Sequence, residues 1–327
     1  MKSWRFHEFG KIENLRLEEI PAPEPGPDEA LVRLDFAALN PADQFLVLGQ
    51  YPRPGQPPFA VGRDGSGVVE QAPPEGRFKP GDRVVILRGE IGVRREGTLA
   101  QYVSVPEASL APLPAGWSPQ EGAAGPLVFL TAWLALMDEG GLKPGQTVLI
   151  TGASGGVGTA ALMLAKAVGA RVVALSRSEA KRRRLQELGA DFTFDSDDPD
   201  LIERVQEALG GGRADVVVEN LAGPFLQKSI YLTGTRGRIC VVGLLAGLSS
   251  EINIGSILFK QIHIIGIAVG NTTPLEAQET WQKIVRTLDQ SGQRPLIDRV
   301  FAIEQVQEAF AYMSKGPLGK VLVGPMN

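Results

Sequence analysis

The segment TVLITGASGGVGTAALMLAKAVGARVVAL, residues 147–175, limits the possible folds more than any other stretch of the chain. An apolar run ends at Thr151, small residues fill 152–158, a helical pattern runs to Ala167, and a second apolar run, VVAL, occupies 172–175. Strand, glycine turn, helix and second strand in this order open a doubly wound sheet. Within the turn, Ala153-Ser154-Gly155-Gly156-Val157-Gly158 reads as a glycine fingerprint whose first glycine has become alanine. Gly155 and Gly156 let backbone approach a phosphate, and Gly158 lets the helix pack closely on the strand. The helix start offers free N–H groups and a positive dipole end to a pyrophosphate. A glycine-rich turn in an α/β fold without nucleotide is the plainer reading, and it leaves this whole context unexplained.

The alternation continues. DVVVEN (215–220), RICVVG (238–243) and HIIGIAV (263–269) are continuous apolar runs, separated by helical patterns at Glu179–Leu188, Phe225–Leu232 and near Ser256. Such runs predict a parallel sheet of five or six strands covered on both faces. Upstream the texture differs: LVRLDFAAL (31–39), SGVVEQA (66–72), DRVVILR (82–88) and LAQYVSVP (99–106) are short and divided by Pro- and Gly-dense turns. They predict a small β-barrel or sandwich. Past Pro274 come a long helix to about Asp289, the run PLIDRVFAI, another helix and KVLV. We expect this tail to rejoin the first part. The predicted fold is therefore α/β: a doubly wound Rossmann domain, 125–270, inserted into a barrel-like domain of 1–124 and 271–327.

Ligands of an open α/β sheet lie at the carboxyl ends of its strands, which brings in Asn220, Gly243 in GLLAG (243–247) and Asn271 in GIAVGN (266–271). The end of the second strand decides which nicotinamide dinucleotide fits. An NAD site places a carboxylate there for the ribose 2′-hydroxyl. This chain has Ser176-Arg177-Ser178, with Lys181 one turn into the next helix, a set suited to a 2′-phosphate. The expectation is NADPH over NADH. For Arg182 to Arg184, the rest of KRRR, we expect a solvated helix face.

Composition enters by exclusion. Zinc sites draw on three or four Cys and His, and this chain has Cys240, His7 and His263, far apart in sequence. No D-x-D-x-D-G loop offers a hard cation a seat. No metal is expected. Net charge is −4, without an aromatic-basic pattern, which argues against nucleic acid as partner. The beginning MKSWRFHEFGK carries no apolar leader core, and no apolar run approaches the roughly 18 residues of a membrane span. One cysteine allows no internal disulfide, so the chain reads as cytoplasmic and not membrane-bound. Cys240 and His263 are expected to be strand residues.

Across nearly its whole length the chain resembles the medium-chain dehydrogenase/reductases, in their zinc-free quinone-oxidoreductase (zeta-crystallin-like) branch. The resemblance rests on NPADQFLVLGQYP (40–52), GRDGSGVV (62–69), FKPGDRVV (78–85), GTLAQYV (97–103), LTAW (130–133), TGASGGVG (151–158), ELGAD (187–191), GRICVVG (237–243) and GKVLV (319–323). It implies a GroES-like barrel beside the Rossmann domain. In zinc-dependent relatives, ligands sit where this chain has Asn40, Arg63-Asp64 and Leu127, so the resemblance implies hydride transfer without zinc. Addition to a quinone or an α,β-unsaturated carbonyl then suits the chemistry, because an enolate can be held by a few donors.

By the same resemblance, Asn40 and Thr131 belong at the nicotinamide end, and Tyr51 lines the pocket of a small electrophilic acceptor. Lys320 is a further candidate for the cofactor. Each has a plainer reading: Asn40 as a turn-former before Pro41, Thr131 as a helix start, and Tyr51 as a loop residue capping the barrel. Arg63 is expected to pair with Asp64 or another acid. The resemblance also implies a homodimer joined along the strand near 263–269. Two other readings remain open, an enoyl-thioester reductase and an NADPH-binding protein with a structural or RNA-binding role.

Overall fold

The computed structural model describes residues 1–52, 54–87 and 90–326. Strands β1 (Lys2–Phe6), β2 (Leu15–Glu19) and β3 (Glu29–Ala38) lead to helix α1 (Pro41–Val47). Strands β4 (Phe59–Ala60), β5 (Asp64–Gln71), β6 (Arg83–Ile86), β7 (Tyr102–Pro106) and β8 (Leu110–Pro112) follow, then helices α2 (Pro119–Ala124) and α3 (Pro126–Trp133). The expected strand 82–88 ends at Ile86; Arg88 lies outside the described residues. The parallel region runs β9 (Thr147–Ile150), α4 (Gly156–Ala167), β10 (Arg171–Leu175), α5 (Glu179–Glu187), β11 (Phe192–Phe194), α6 (Leu201–Ala208) and β12 (Ala214–Glu219). It continues through α7 (Phe225–Leu232), β13 (Thr233–Val241), α8 (Ile254–Lys260) and β14 (His263–Gly266). Helix α9 (Pro274–Ser291), β15 (Ile297–Phe301), α10 (Val306–Met313) and β16 (Lys320–Val323) complete the chain.

Two compact units result. The first comprises Met1–Leu127, Gly270–Gln282 and Arg294–Asn327, the second Val128–Val269 and Lys283–Gln293. In the first, a sheet of order β15-β16-β3-β5-β6-β8, with β7 also on β3, accompanies a small sheet β2-β1-β4. Phe6, Leu34, Leu46, Ile86 and Phe310 are fully enclosed in its core. Of the tail, β16 pairs antiparallel with β3, whereas Lys283–Gln293 groups with the second unit.

The second unit holds one sheet of order β11-β10-β9-β12-β13-β14, parallel throughout. Its middle strands, TVLI and ADVVVE, are buried almost without interruption, as strands covered on both faces must be. Several elements depart from expectation, among them the run 263–269, whose strand stops at Gly266. The Asn40-Pro41 step starts a helix, with proline at its first position, where a missing N–H costs nothing. Strand β13 begins at Thr233, ahead of the apolar run, because Thr233 already pairs with Ala214 of β12 before a register shift leads to the Arg238–Val216 pair. Phe192–Phe194 supplies the sixth strand, too short to stand out in sequence.

Cys240 is enclosed on β13, and burial pushes its thiol up to about 12. Thiol reagents at neutral pH therefore leave the native chain unmodified and label it once denaturant unfolds it. Labelling of the native protein at the rate of a free thiol would contradict this packing.

Candidate active site

In the first unit, Asn40 is the residue before α1, yet its side chain does not cap the helix. The Asn40 backbone and Asp43 make the cap between them: Asn40 N–H donates to Asp43 Oδ2 at 2.9 Å, and Asn40 O accepts from Asp43 N–H at 2.9 Å. The amide instead turns inward. Nδ2 donates to Asp64 Oδ2 at 2.9 Å and to Ala38 O at 3.3 Å, while Oδ1 accepts from Lys320 Nζ at 2.6 Å. Lys320 divides its three donors among Asn40 Oδ1, Leu39 O at 3.0 Å and Asp64 Oδ2 at 3.1 Å, the full complement of an ammonium. The second oxygen of Asp64 accepts the Leu127 N–H at 2.9 Å. The side chains of Lys320 and Asp64 are 4% and 0% exposed, so this is a buried ion pair with its polar atoms matched.

Sheet register assembles it. Ala38 faces Asp64 across the β3–β5 ladder and Leu322 across β3–β16, and Leu39 N–H donates to Val321 O at 2.9 Å. A second layer surrounds the first. Arg63 Nε donates to Asp43 Oδ1 at 3.2 Å and Nη2 to Ala42 O at 3.3 Å, so Arg63 pairs with Asp43 and not with its neighbour Asp64. Burial pushes the Asp43 carboxyl above the usual range, and Arg63 pulls against that shift. The Arg63 guanidinium lies 4.2 Å from the centre of the Tyr51 ring, a cation–π contact. Tyr51 itself is half-buried against the barrel core, and its hydroxyl has no hydrogen-bond partner among the described residues.

By the resemblance described above, zinc ligands would stand at Asn40, Arg63, Asp64 and Leu127. A zinc site needs thiolate, imidazole or carboxylate ligands. Only Asp64 offers one, and the Lys320 ammonium already lies against both Asp64 and Asn40. These residues do not fit a zinc ion.

In the second unit, the glycine loop joins β9 to α4. A Cβ on Gly158 would lie 2.6 Å from Ala153 Cα and from Gly152 O, so only glycine lets the helix approach. At Gly155 the nearest atom would be 3.5 Å away, an open cradle. Gly156, Val157 and Gly158 carry first-turn N–H groups that α4 itself cannot satisfy. Ala153 is buried, its N–H on Leu175 O, and Ser154 stays half-exposed. This arrangement fits a dinucleotide pyrophosphate. At the end of β10, Ser176 is buried, Arg177 is exposed, and Ser178 Oγ accepts the Lys181 N–H at 3.4 Å.

Arg182 departs from the solvated face expected of it. Nη1 reaches back to Ser176 O and Arg177 O, both at 2.7 Å, and to Asp195 Oδ2 at 3.0 Å. It fastens the 176–178 loop and occupies the nearby carboxylate of Asp195. Arg183 and Arg184 do lie on the solvated face, paired with Glu179 and Glu187.

Asn220 Nδ2 donates to Thr151 O at 2.7 Å, and a Cβ on Gly243 would meet Asn220 O at 2.4 Å. Thr131 is buried late in α3, which starts at Pro126, so it does not begin a helix. Asn271 ends a 3₁₀ turn, Val269–Asn271, and is exposed. His263 begins the edge strand β14, exposed. The sequence reading missed Asp43 and Glu219. An Asn-x-x-Asp spacing and an acid closing an apolar strand were the available signals.

Residues 26–115 match the family described as the alcohol dehydrogenase GroES-like domain, and residues 156–290 that described as zinc-binding dehydrogenase. A quinone oxidoreductase of Pongo abelii is 30% identical over 327 residues, covering 99% of this chain and 97% of its own. An acryloyl-coenzyme A reductase of Sulfurisphaera tokodaii is 30% identical over 342 residues, covering 97% and 98%. Among solved structures, an NAD-dependent alcohol dehydrogenase superposes with a TM-score of 0.88 at 34% identity, covering 99% of each chain. The chain belongs to the medium-chain dehydrogenase/reductase superfamily of oxidoreductases, in its quinone oxidoreductase branch. The barrel with an inserted Rossmann unit is the fold of that superfamily.

Proposed function

We propose that the protein is a zinc-independent, NADPH-dependent oxidoreductase that reduces a quinone or an α,β-unsaturated carbonyl compound. The observation that carries this reading is the Asn40–Asp64–Lys320 cluster, which puts an internal ammonium and amide where zinc ligands would stand. When bound, the nicotinamide supplies the hydride. The N–H groups of Gly156, Val157 and Gly158 hold the pyrophosphate, with Ala153, Ser154 and Gly155 shaping the cradle. Ser176, Arg177 and Lys181 bind the 2′-phosphate, and Asn220, Gly243, Asn271 and Thr131 border the rest of the cofactor. Lys320 acts through Asn40, since its three donors are already used.

The Asn40 amide has both N–H groups engaged and one Oδ1 lone pair spare, so it acts as an acceptor and a spacer. The Tyr51 hydroxyl is the donor to the acceptor's carbonyl oxygen as enolate or quinol charge develops, with Arg63 above the ring adding positive potential. The test is a screen of NADPH and NADH oxidation with benzoquinone, naphthoquinone, short enals and enones, before and after chelation. Chelator-resistant turnover with higher kcat/KM for NADPH is expected. Equal or better turnover with NADH, or loss on chelation, would overturn the corresponding half. The reductase of S. tokodaii named above favours a second reading, an acyl-coenzyme A acceptor, so acryloyl-coenzyme A belongs in the same screen.

The assembly we propose is a homodimer with the second copy on the open edge at β14. Among the described residues that edge strand has no neighbour on one side, and Ile254, Leu258 and Phe259 of α8, with Ile264 of β14, are exposed apolar residues, Phe259 at 83%. Light scattering at micromolar concentration is expected to give twice the chain mass. A monodisperse monomer would remove the dimer. Among the described residues no helix is long and apolar enough to cross a membrane.

A further inference from the structure

We infer that Glu219 is a positioning residue, which fixes the part of the second unit that receives the nicotinamide half of the dinucleotide; this rests on the dinucleotide reading above. Glu219 ends β12, is 0% exposed, and has no cationic partner among the described residues. Its Oε1 accepts from Thr151 Oγ1 at 2.6 Å, Leu221 N–H at 2.8 Å and Ala222 N–H at 2.9 Å, and Oε2 accepts from Ser229 Oγ. A buried carboxylate without a counter-ion is costly to place, and a neutral side chain cannot accept three hydrogen bonds on one atom together with a fourth on the next. What this carboxylate supplies is therefore specific.

It supplies two locks. Thr151 follows β9 directly, and its hydroxyl also accepts the Asn220 N–H at 2.9 Å, so its hydrogen goes to Glu219. That ties β9 to β12, on either side of the point where the strand order reverses and ligands enter such sheets. The second lock is the turn 221–223. Ala222 and Gly223 have φ of +54° and +52°, a left-handed conformation that alanine rarely adopts. The two N–H groups on Oε1 hold it. Leu221 O then accepts the Ala246 N–H at 2.7 Å, and Gly223 O accepts from Ser250 Oγ. The turn and the loop 243–250 are thereby joined beyond β12 and β13. The 2′-phosphate set lies beyond β10, on the other side of β9, so this joined surface faces the opposite half of the ligand.

The test uses the full chain with Glu219→Gln, titrated with NADPH and with adenosine 2′,5′-bisphosphate, which lacks the nicotinamide half. The Kd for NADPH is expected to rise at least tenfold, while that for the bisphosphate stays within about twofold. Ser229→Ala, which spares the turn, serves as a control of equal burial and is expected to leave both constants within about threefold. If Glu219→Gln fails to melt cooperatively, Thr151→Val is read in its place by the same criterion. Unchanged NADPH affinity, or equal weakening of both ligands, would show Glu219 to be only a core residue and overturn the inference. If the unmodified protein binds neither ligand, the dinucleotide reading itself falls, and the two failures are thus distinct.

Discussion

Lys320→Met lowers the stability of the first unit by about 3–5 kcal/mol, because it leaves the Asp64 carboxylate buried with no counter-ion. Asp64 is fully enclosed, and Lys320 Nζ is its cation at 3.1 Å. The same substitution frees Leu39 O and Asn40 Oδ1, two further acceptors that water cannot easily reach. A thermal midpoint lower by on the order of 10 °C is expected. Adding Asp64→Asn removes the stranded charge and is expected to recover more than half of the loss, since a neutral pair in such a place is often as stable as the ionic one. A single variant as stable as the parent would show that the ammonium is not held as described.

The second large effect concerns the choice of cofactor. Arg177→Ala with Lys181→Ala removes two positive charges beside the end of β10. Each charge-assisted contact to a phosphate contributes about 1.5–3 kcal/mol. A single one is therefore worth roughly 10- to 150-fold in kcat/KM with NADPH. The double variant is expected to lose more than a single one, and to change kcat/KM with NADH by less than about threefold. Arg182 belongs to a different experiment: its guanidinium holds Ser176 O and Arg177 O, so Arg182→Ala should weaken both cofactors by loosening the loop. Parallel losses with both cofactors in the Arg177/Lys181 variant would refute the assigned selectivity.

What the sequence shows best is what lies close together along it. The glycine loop, its strand and its helix fit within thirty residues, and each carries its own local signal, so the Rossmann unit is legible before any contact is known. Asn40 is the opposite case. Its helix start is locally encoded by Pro41 and Asp43, but its partner Lys320 stands 280 residues further on. Only the register of β16 on β3 brings them together, and KVLV carries no mark of that register. Arg182 was hidden for another reason. Helical periodicity groups it with Arg183 and Arg184, whereas its long side chain bends back over the strand end. Glu219 was visible as an acid after three valines of apolar strand, but the hydroxyls that donate to it come from Thr151 and Ser229, brought in by neighbouring elements.

The position of β16 also bears on how the chain is made. It lies inside its sheet, between β15 and β3, not at an edge. During synthesis, β3, Asn40 and Asp64 emerge early and wait for nearly the entire chain before their counter-ion arrives. The second unit, almost all of it continuous from 128 to 269, can close in the meantime. Unit one is thus a late-completing assembly of high contact order, open at its middle until Lys320 docks. A ribosome-stalled chain that lacks β16 would present a protease with a folded nucleotide unit and a cleavable barrel.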